Sequence, residues 1–310
     1  MNENALARSP QKRKKSKWFT HEAITAYLWL LFPIFWWGVF FLFAFVRGVV
    51  FSFTDLTISI SKISKFTFEQ YNRLFADEVF WTALRNTIIW TLVMTVLNNG
   101  LGLFVAYLIS RIHHGQKVWL TLLFWPTLVS AVVSSQITTL IFDPSDTGIM
   151  NQIIMAFGGT PLAWYNDPNL SLFTLMIIPA LLGFSSQMLI YYVAIEGIPK
   201  SYVEAAIMDG ASTWQIFKHI YVPSINGAIL YNCLLSIIGG LQVIGPMQLI
   251  TNGGPLDSSM SITLYMYNSL IGGENGYACA IAVVTLGLIV LLSALQIWMQ
   301  HRASHSEKAL

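Results

Sequence analysis

Six long stretches of the chain contain no Asp, Glu, Lys, Arg or His: residues 23–46, 86–110, 118–142, 170–195, 227–250 and 277–299. Each exceeds the roughly 20 mostly apolar residues that carry an α-helix across a bilayer. None shows the two-residue alternation of a membrane β-barrel. The expected fold class is therefore all-α, a polytopic membrane protein of six transmembrane helices. Composition agrees. Of the 310 residues, 55% are hydrophobic and 10% charged, against about 25% charged in soluble domains. That excludes a soluble globular enzyme, and the hydrophobicity excludes a disordered chain. A net charge of +2 is too small to suggest nucleic acid as a partner. Cys233 and Cys279 both sit in apolar runs and read as buried side chains, not a disulfide framework.

Orientation follows from Lys and Arg in the short loops. Arg8, Lys12, Arg13, Lys14, Lys15 and Lys17 precede the first stretch. Arg111 and Lys117 follow the second, Lys200 and Lys218 the fourth, and Arg302 and Lys308 the sixth. The loops after the third and fifth carry only acids: Asp143, Asp146, Asp167, Asp257 and Glu274. The bias places both termini in the cytoplasm of a bacterial-type cell membrane. The loop after the first stretch dissents with Lys62, Lys65 and Arg73, but it is long and also acidic. The basic tail reads as a topogenic, lipid-facing cluster. The expected organisation is a cytoplasmic tail over 1–22, a six-helix domain over 23–300 and a cytoplasmic tail over 301–310.

Absences are equally informative. The chain has no phosphate-binding Gly-x-x-x-x-Gly-Lys-Ser/Thr loop, no Gly-x-Ser-x-Gly elbow and no His-Glu-x-x-His helix. His113 and His114 lack nearby carboxylate or thiol partners, so no metal site is expected. Ionisable residues inside spans mark ion and proton pathways, and the six stretches contain none. An ion-coupled carrier or a membrane enzyme is thereby disfavoured. A transporter so built needs an engine on another chain.

The segment 196–226 reads EGIPKSYVEAAIMDGASTWQIFKHIYVPSIN and is too long for a passive turn. Ser201 and Glu204 have the spacing of a capping box, predicting a short helix over 202–208. Gly210 falls where helices terminate. Ser212 and Gln215 form a second box, opening a second short helix that Pro223 ends. Ala205 and Ala206 make the first helix narrow on one face, as a groove in another protein would require. Glu204 can pair with a basic residue lining such a groove.

Three residues separate Glu204-Ala205-Ala206 from Gly210, and nine separate Gly210 from Ile220, before Val222-Pro223. This pattern resembles the EAA signature of permease subunits in binding-protein-dependent ABC importers, which usually have Leu where Val222 stands. Thr251-Asn252-Gly253-Gly254-Pro255 and the run from Tyr71 through Asp77 to Asn86-Thr87 resemble stretches common in carbohydrate importers of the maltose-transporter type, on the side of the larger permease. The resemblance implies half of a translocation pore and no catalysis or cofactor on this chain. It implies a second, different permease, two ATPase subunits carrying ATP and Mg, and an extracytoplasmic binding protein that delivers a sugar or oligosaccharide. Coupling to the ATPase falls on Glu204, Ala205, Ala206 and Gly210, with Asp209, Lys218 and Pro223 in support. The superfamily also serves non-sugar solutes, which remains the alternative.

A neutral sugar calls for uncharged hydrogen-bonding groups near the midplane. The fifth stretch offers Asn232, Ser236, Gly239, Gly240 and Val243 at helical spacing, with Gln242 beside them. The resemblance puts the sugar-lining face on Ser236, Gly239, Gly240 and Val243. The fourth stretch adds Gly183, Ser186, Gln187 and Tyr191, and the third Ser130, Ser134 and Gln136. Small residues also serve close helix packing, so the glycines carry both readings.

Overall fold

The computed structural model of the chain describes residues 21–55, 66–112 and 114–307. The basic tail, Lys62, Lys65, His113 and Lys308 lie outside the described residues. Every described element is helical, apart from one antiparallel bridge between Thr54 and Phe66. The chain divides into two compact units, Met1–Val50 and Phe51–Leu310.

The first unit holds α1 (His21–Trp37), a π-helical turn (Gly38–Leu42) and most of α2 (Phe43–Ser52). Its large side chains, including Trp29, Phe32, Phe41 and Phe43, are exposed on all sides. A helix that is apolar all round belongs in lipid or in another protein.

In the second unit, α3 (Glu69–Ala76) leads into α4 (Glu78–Ser110). At 1.5 Å per residue α4 is about 50 Å long. It packs along α8 (Ser171–Glu196) and α12 (Asn226–Leu241). The approach to α8 is close because Gly102 has no Cβ: one built there would lie 2.9 Å from the Met188 amide nitrogen. Such small-residue contacts replace the hydrophobic drive that lipid removes. Towards the N-terminal end of α4 the core is Trp90, Met94, Leu175, Met176, Met247 and Leu264. Towards its C-terminal end the core is Ala106, Ile109, Met188, Tyr191, Ile195, Ile216, Tyr221 and Ile225. α14 (Asn275–Glu307) closes the unit against α13 (Ile262–Ile271) and α12.

Among the described residues four helices are long and apolar enough to cross a membrane: Tyr27–Ser52, Glu78–Ser110, Ser171–Glu196 and Asn275–Trp298. They carry the first, second, fourth and sixth expected spans. The other two differ from the expectation of continuous helices. The third is broken into α5 (Gln116–Phe124), a 3-10 turn (Trp125–Leu128) and α6 (Ala131–Ile141), bent by 88°. Pro126 removes a helical N–H, Val129 is extended, and Ser130 starts a new helix by accepting the Val133 amide. The fifth ends at Leu241 instead of running to residue 250, and a 70° bend precedes it at Ile225. The helix ends at Leu241 with Gln242 as its C-cap, and Gly245-Pro246 opens a new helical turn that leads into a π turn over Met247–Thr251, a place proline tolerates because a first-turn N–H has no helical partner.

Candidate functional site

The segment 196–226 begins where α8 stops, at Glu196. Its first helix, α9, runs Lys200–Met208 with Pro199 at the N-cap. The expected Ser201–Glu204 capping box is absent, because the helix starts early enough to put Ser201 inside its first turn. Glu204 is thus free of that role and exposed. Gly210 adopts φ +78°, a conformation that glycine takes without strain. It closes a Schellman turn: the Ala211 amide donates to the Ala206 carbonyl at 2.9 Å and the Gly210 amide to Ile207 at 3.0 Å. The second box forms as expected. Ser212 accepts from the Gln215 amide at 3.3 Å, and the Ser212 amide donates to Gln215 Oε1 at 2.7 Å.

From there α10 (Thr213–Ile216), a π turn (Phe217–Tyr221) and α11 (Val222–Ser224) lead back to α12. Ile216, Tyr221 and Ile225 are buried against Ile109, Tyr191 and Ile195. The hairpin is therefore rooted by apolar side chains. Its outward surface presents Glu204, Ala205, Asp209, Gly210, Lys218 and Pro223, all exposed, while Ala206 is half-buried. A groove of about 310 Å³ between α9 and the π turn is lined by Ala206, Asp209, Gly210, Gln215 and His219. A polar cleft of about 370 Å³ behind α9 is lined by Arg111, Gln116, Glu196, Lys200 and Glu204.

The ten expected pathway residues separate into groups. Gln187, Tyr191, Asn232 and Ser236 come together at the α4–α8–α12 interface. Their centre is Asn99 of α4. Its amide donates to Ser236 Oγ at 3.0 Å and to the Thr95 carbonyl at 2.8 Å, and its oxygen accepts the Tyr191 hydroxyl at 2.6 Å. Gln187 Nε2 reaches Ser236 Oγ at 3.5 Å, and Asn232 Nδ2 donates to the Gln187 carbonyl at 3.4 Å. Gly183 lies against the Asn98 side chain and Gly240 against Thr91, where a Cβ would come within 2.8 Å of Thr91 Oγ1. Ser186, Gly239 and Gln242 are exposed, and a Cβ on Gly239 would meet nothing within 4 Å. Gln242 and Val243 lie past the end of α12, so the single helical face assumed for Asn232 to Val243 does not extend that far. In the third stretch Ser130 is a cap, Ser134 is buried and Gln136 is exposed.

Sequence reasoning missed Asn99. The signal was available: Asn98-Asn99 is a polar pair inside an otherwise apolar span, and such amides need partners in lipid.

The other two singled-out motifs meet at the N-terminal end of α4. Asp77 caps α4 by accepting the Val79 amide at 2.9 Å. It also accepts the hydroxyls of Tyr277, at 2.5 Å, and Tyr265. Burial raises the Asp77 pKa, but those hydrogen bonds outweigh it and hold the carboxyl below its ordinary value. Burial, then the bond to Asp77, pushes Tyr265 up to about 12. Arg73 pairs with Glu274 at 2.9 Å and lies 4.3 Å over the Tyr277 ring. Asn86 fastens the loop that follows Thr251–Pro255, donating to the Asp257 and Met260 carbonyls at 3.0 and 3.1 Å. Thr87 Oγ1 accepts the Ile262 amide at 2.9 Å. The two motifs are halves of one joint.

A family model described as the binding-protein-dependent transport system inner membrane component matches residues 23–305. The chain belongs to this family. Among the relatives of this inner membrane component is a probable ABC transporter permease protein of Pyrococcus horikoshii. It is 31% identical over 261 residues, covering 82% of this chain and 89% of its own. The alpha-glucoside transport system permease protein AglF of Rhizobium meliloti is 33% identical, over 74% of this chain and 68% of its own. The arabinooligosaccharides transport system permease protein AraP of Bacillus subtilis is 28% identical, over 93% of both. In fold the chain matches a bacterial alginate ABC transporter solved in complex with an alginate pentasaccharide-bound periplasmic protein. That match has a TM-score of 0.81 at 20% identity, covering 93% of this chain and 98% of that one.

Proposed function

We propose that the chain is the permease subunit of an ATP-driven sugar importer, spanning the inner membrane six times with both termini in the cytoplasm. The bent pair Gln116–Leu128 and Ala131–Ile141 counts as one span, and α12, without the Thr213–Ser224 arm before it, counts as another. The segment 196–226 then faces the cytoplasm, and the Asp77–Tyr277 joint faces outside. The chain pairs with a second, different permease to form the pore, and each permease docks one of two ATPase subunits. ATP and Mg bind on those partners. An extracytoplasmic binding protein delivers the sugar or oligosaccharide. The family and the sugar-importing relatives support this reading.

The observation that carries the mechanism is the exposed Glu204–Ala205 surface on a hairpin rooted in the core. Glu204 offers an unshared carboxylate to a basic side chain. Ala205 and Ala206 let a cleft wall approach closely. Gly210 fixes the angle between α9 and α10. Movement of the ATPase is transmitted through Ile216, Tyr221 and Ile225 to α8 and α12. Along the path, Ser186, Gly239 and Gln242 are placed to meet solute. Gln187, Tyr191, Asn232 and Ser236 hold the wall behind them, and Gly183 and Gly240 set helix spacing. No residue here performs covalent chemistry.

The test is oligosaccharide uptake into proteoliposomes holding the assembled complex. The expected result is uptake that requires both ATP and the loaded binding protein. Uptake that persists without ATP, or follows an ion gradient alone, refutes the proposal.

A further inference from the structure

A second concavity lies beside the coupling hairpin, between α4 and the start of the hairpin's second arm. It has a volume of about 490 Å³ and is lined by Gly100, Leu103, Phe104 and Tyr107 of α4, with Trp214 and Phe217. The α4 residues recur at three and four positions, which places them on one helix face. The floor is aromatic: Tyr107 meets Phe217 edge-on at 4.8 Å, and Phe217 stacks on Trp214 at 5.5 Å. Phe104 and Trp214 remain 58% and 68% exposed. Gly100 is open, since a Cβ there would meet nothing within 4 Å.

None of the residues lining the groove is charged. The Arg111 guanidinium lies 5.5 Å above the Tyr107 ring, one turn beyond the groove. No described residue forms an ion pair with Arg111. His114 and Lys117 follow it and are exposed. On its other side Arg111 borders the polar cleft with Glu196, Lys200 and Glu204. From Gly100 to Arg111 α4 rises about 16 Å, which matches one leaflet of a hydrocarbon core about 30 Å thick.

We infer that this groove is a binding site for one anionic phospholipid of the cytoplasmic leaflet, with its phosphate on Arg111 and an acyl chain running to Gly100. The inference rests on the proposed orientation, with the segment 196–226 on the cytoplasmic side. Trp214 and Phe217 belong to the coupling hairpin, so a bound chain seats that hairpin on α4 from the lipid side. Anionic lipid thereby supports coupling without touching the ATPase.

The experiment is native mass spectrometry of the full complex, delipidated and then offered phosphatidylglycerol or phosphatidylcholine. The wild type should retain one phosphatidylglycerol per copy of this chain, preferred about fivefold. Arg111→Gln should lose the preference, and Arg111→Lys should restore most of it. Gly100→Leu fills open space and should abolish retention while the complex still assembles. Equal retention in wild type and all variants overturns the inference. So does efficient cross-linking of Gly100→Cys to the sister permease, which would make the groove a subunit contact. Uptake is measured in parallel: a wild-type complex that retains the lipid but imports no sugar contradicts the functional reading and leaves this one standing.

Discussion

The two ends of α4 are held in opposite ways. At its N-terminal end, polar groups satisfy one another: Asp77 takes two tyrosine hydroxyls and an amide, Arg73 pairs with Glu274, and Asn86 and Thr87 pin the loop before α13. At its C-terminal end, apolar residues hold the hairpin while Glu204, Asp209 and Lys218 stay exposed. A joint that consumes its own hydrogen bonds has nothing left to offer a partner. A hairpin that buries only hydrocarbon keeps its polar groups available. The first arrangement suits a fixed frame and the second a docking handle.

The largest effect should come from breaking the handle. Glu204→Lys should reduce ATP-driven uptake to background while the protein stays in the membrane at normal abundance. Gly210→Pro should do the same, because proline fixes φ near −65° where the turn needs +78°. Loss of the protein from the membrane would instead make the hairpin part of the frame. Breaking the frame should cost stability before transport. Asp77→Ala uncaps α4 and strands two hydroxyls, a loss of about 3 kcal/mol, read as a lower unfolding temperature. An unchanged unfolding temperature would mean that the joint does not hold the frame.

Acid tests the same carboxylate more gently. Its pKa is lowered in the folded state, so its stabilisation is complete above the ordinary aspartate value of about 3.9 and is lost as pH falls through the lowered one. Thermal stability of the wild type relative to Asp77→Asn should be constant from pH 7 to about 5 and shrink only in stronger acid.

The glycine pair divides packing from path. Gly240→Val meets Thr91 and should destabilise by about 2 kcal/mol. Gly239→Val enters open space and should leave stability unchanged while altering the KM for sugar. Equal effects at both positions would erase the distinction. The smallest change is expected from Tyr191→Phe, which removes one bond to Asn99. Such bonds average about 0.6 kcal/mol in membranes, and the check is a chemical denaturation curve in detergent.

Much of this was legible in the sequence where one residue type dictates one geometry. Four of the six charge-free stretches are long helices among the described residues, and the Gly210 turn and the Ser212–Gln215 box form where expected. Ser201 and Glu204 did not form their box because Pro199 set the helix start, and position relative to the cap decides which side chain can reach an amide. Pro126 was visible, yet an apolar run says nothing about its own straightness. Asn99 is not legible from spacing, because its partners Tyr191 and Ser236 are distant in sequence. The Asp77–Tyr265–Tyr277 contact is likewise long-range, and no spacing rule pairs those positions.

The most direct test of the account is ATP hydrolysis by the assembled complex in nanodiscs, with and without sugar-loaded binding protein. The wild type should be stimulated several-fold by the loaded protein. A complex carrying Glu204→Lys should keep all its subunits and show no stimulation. Full stimulation of that variant would contradict the claim that the hairpin couples this permease to its engine.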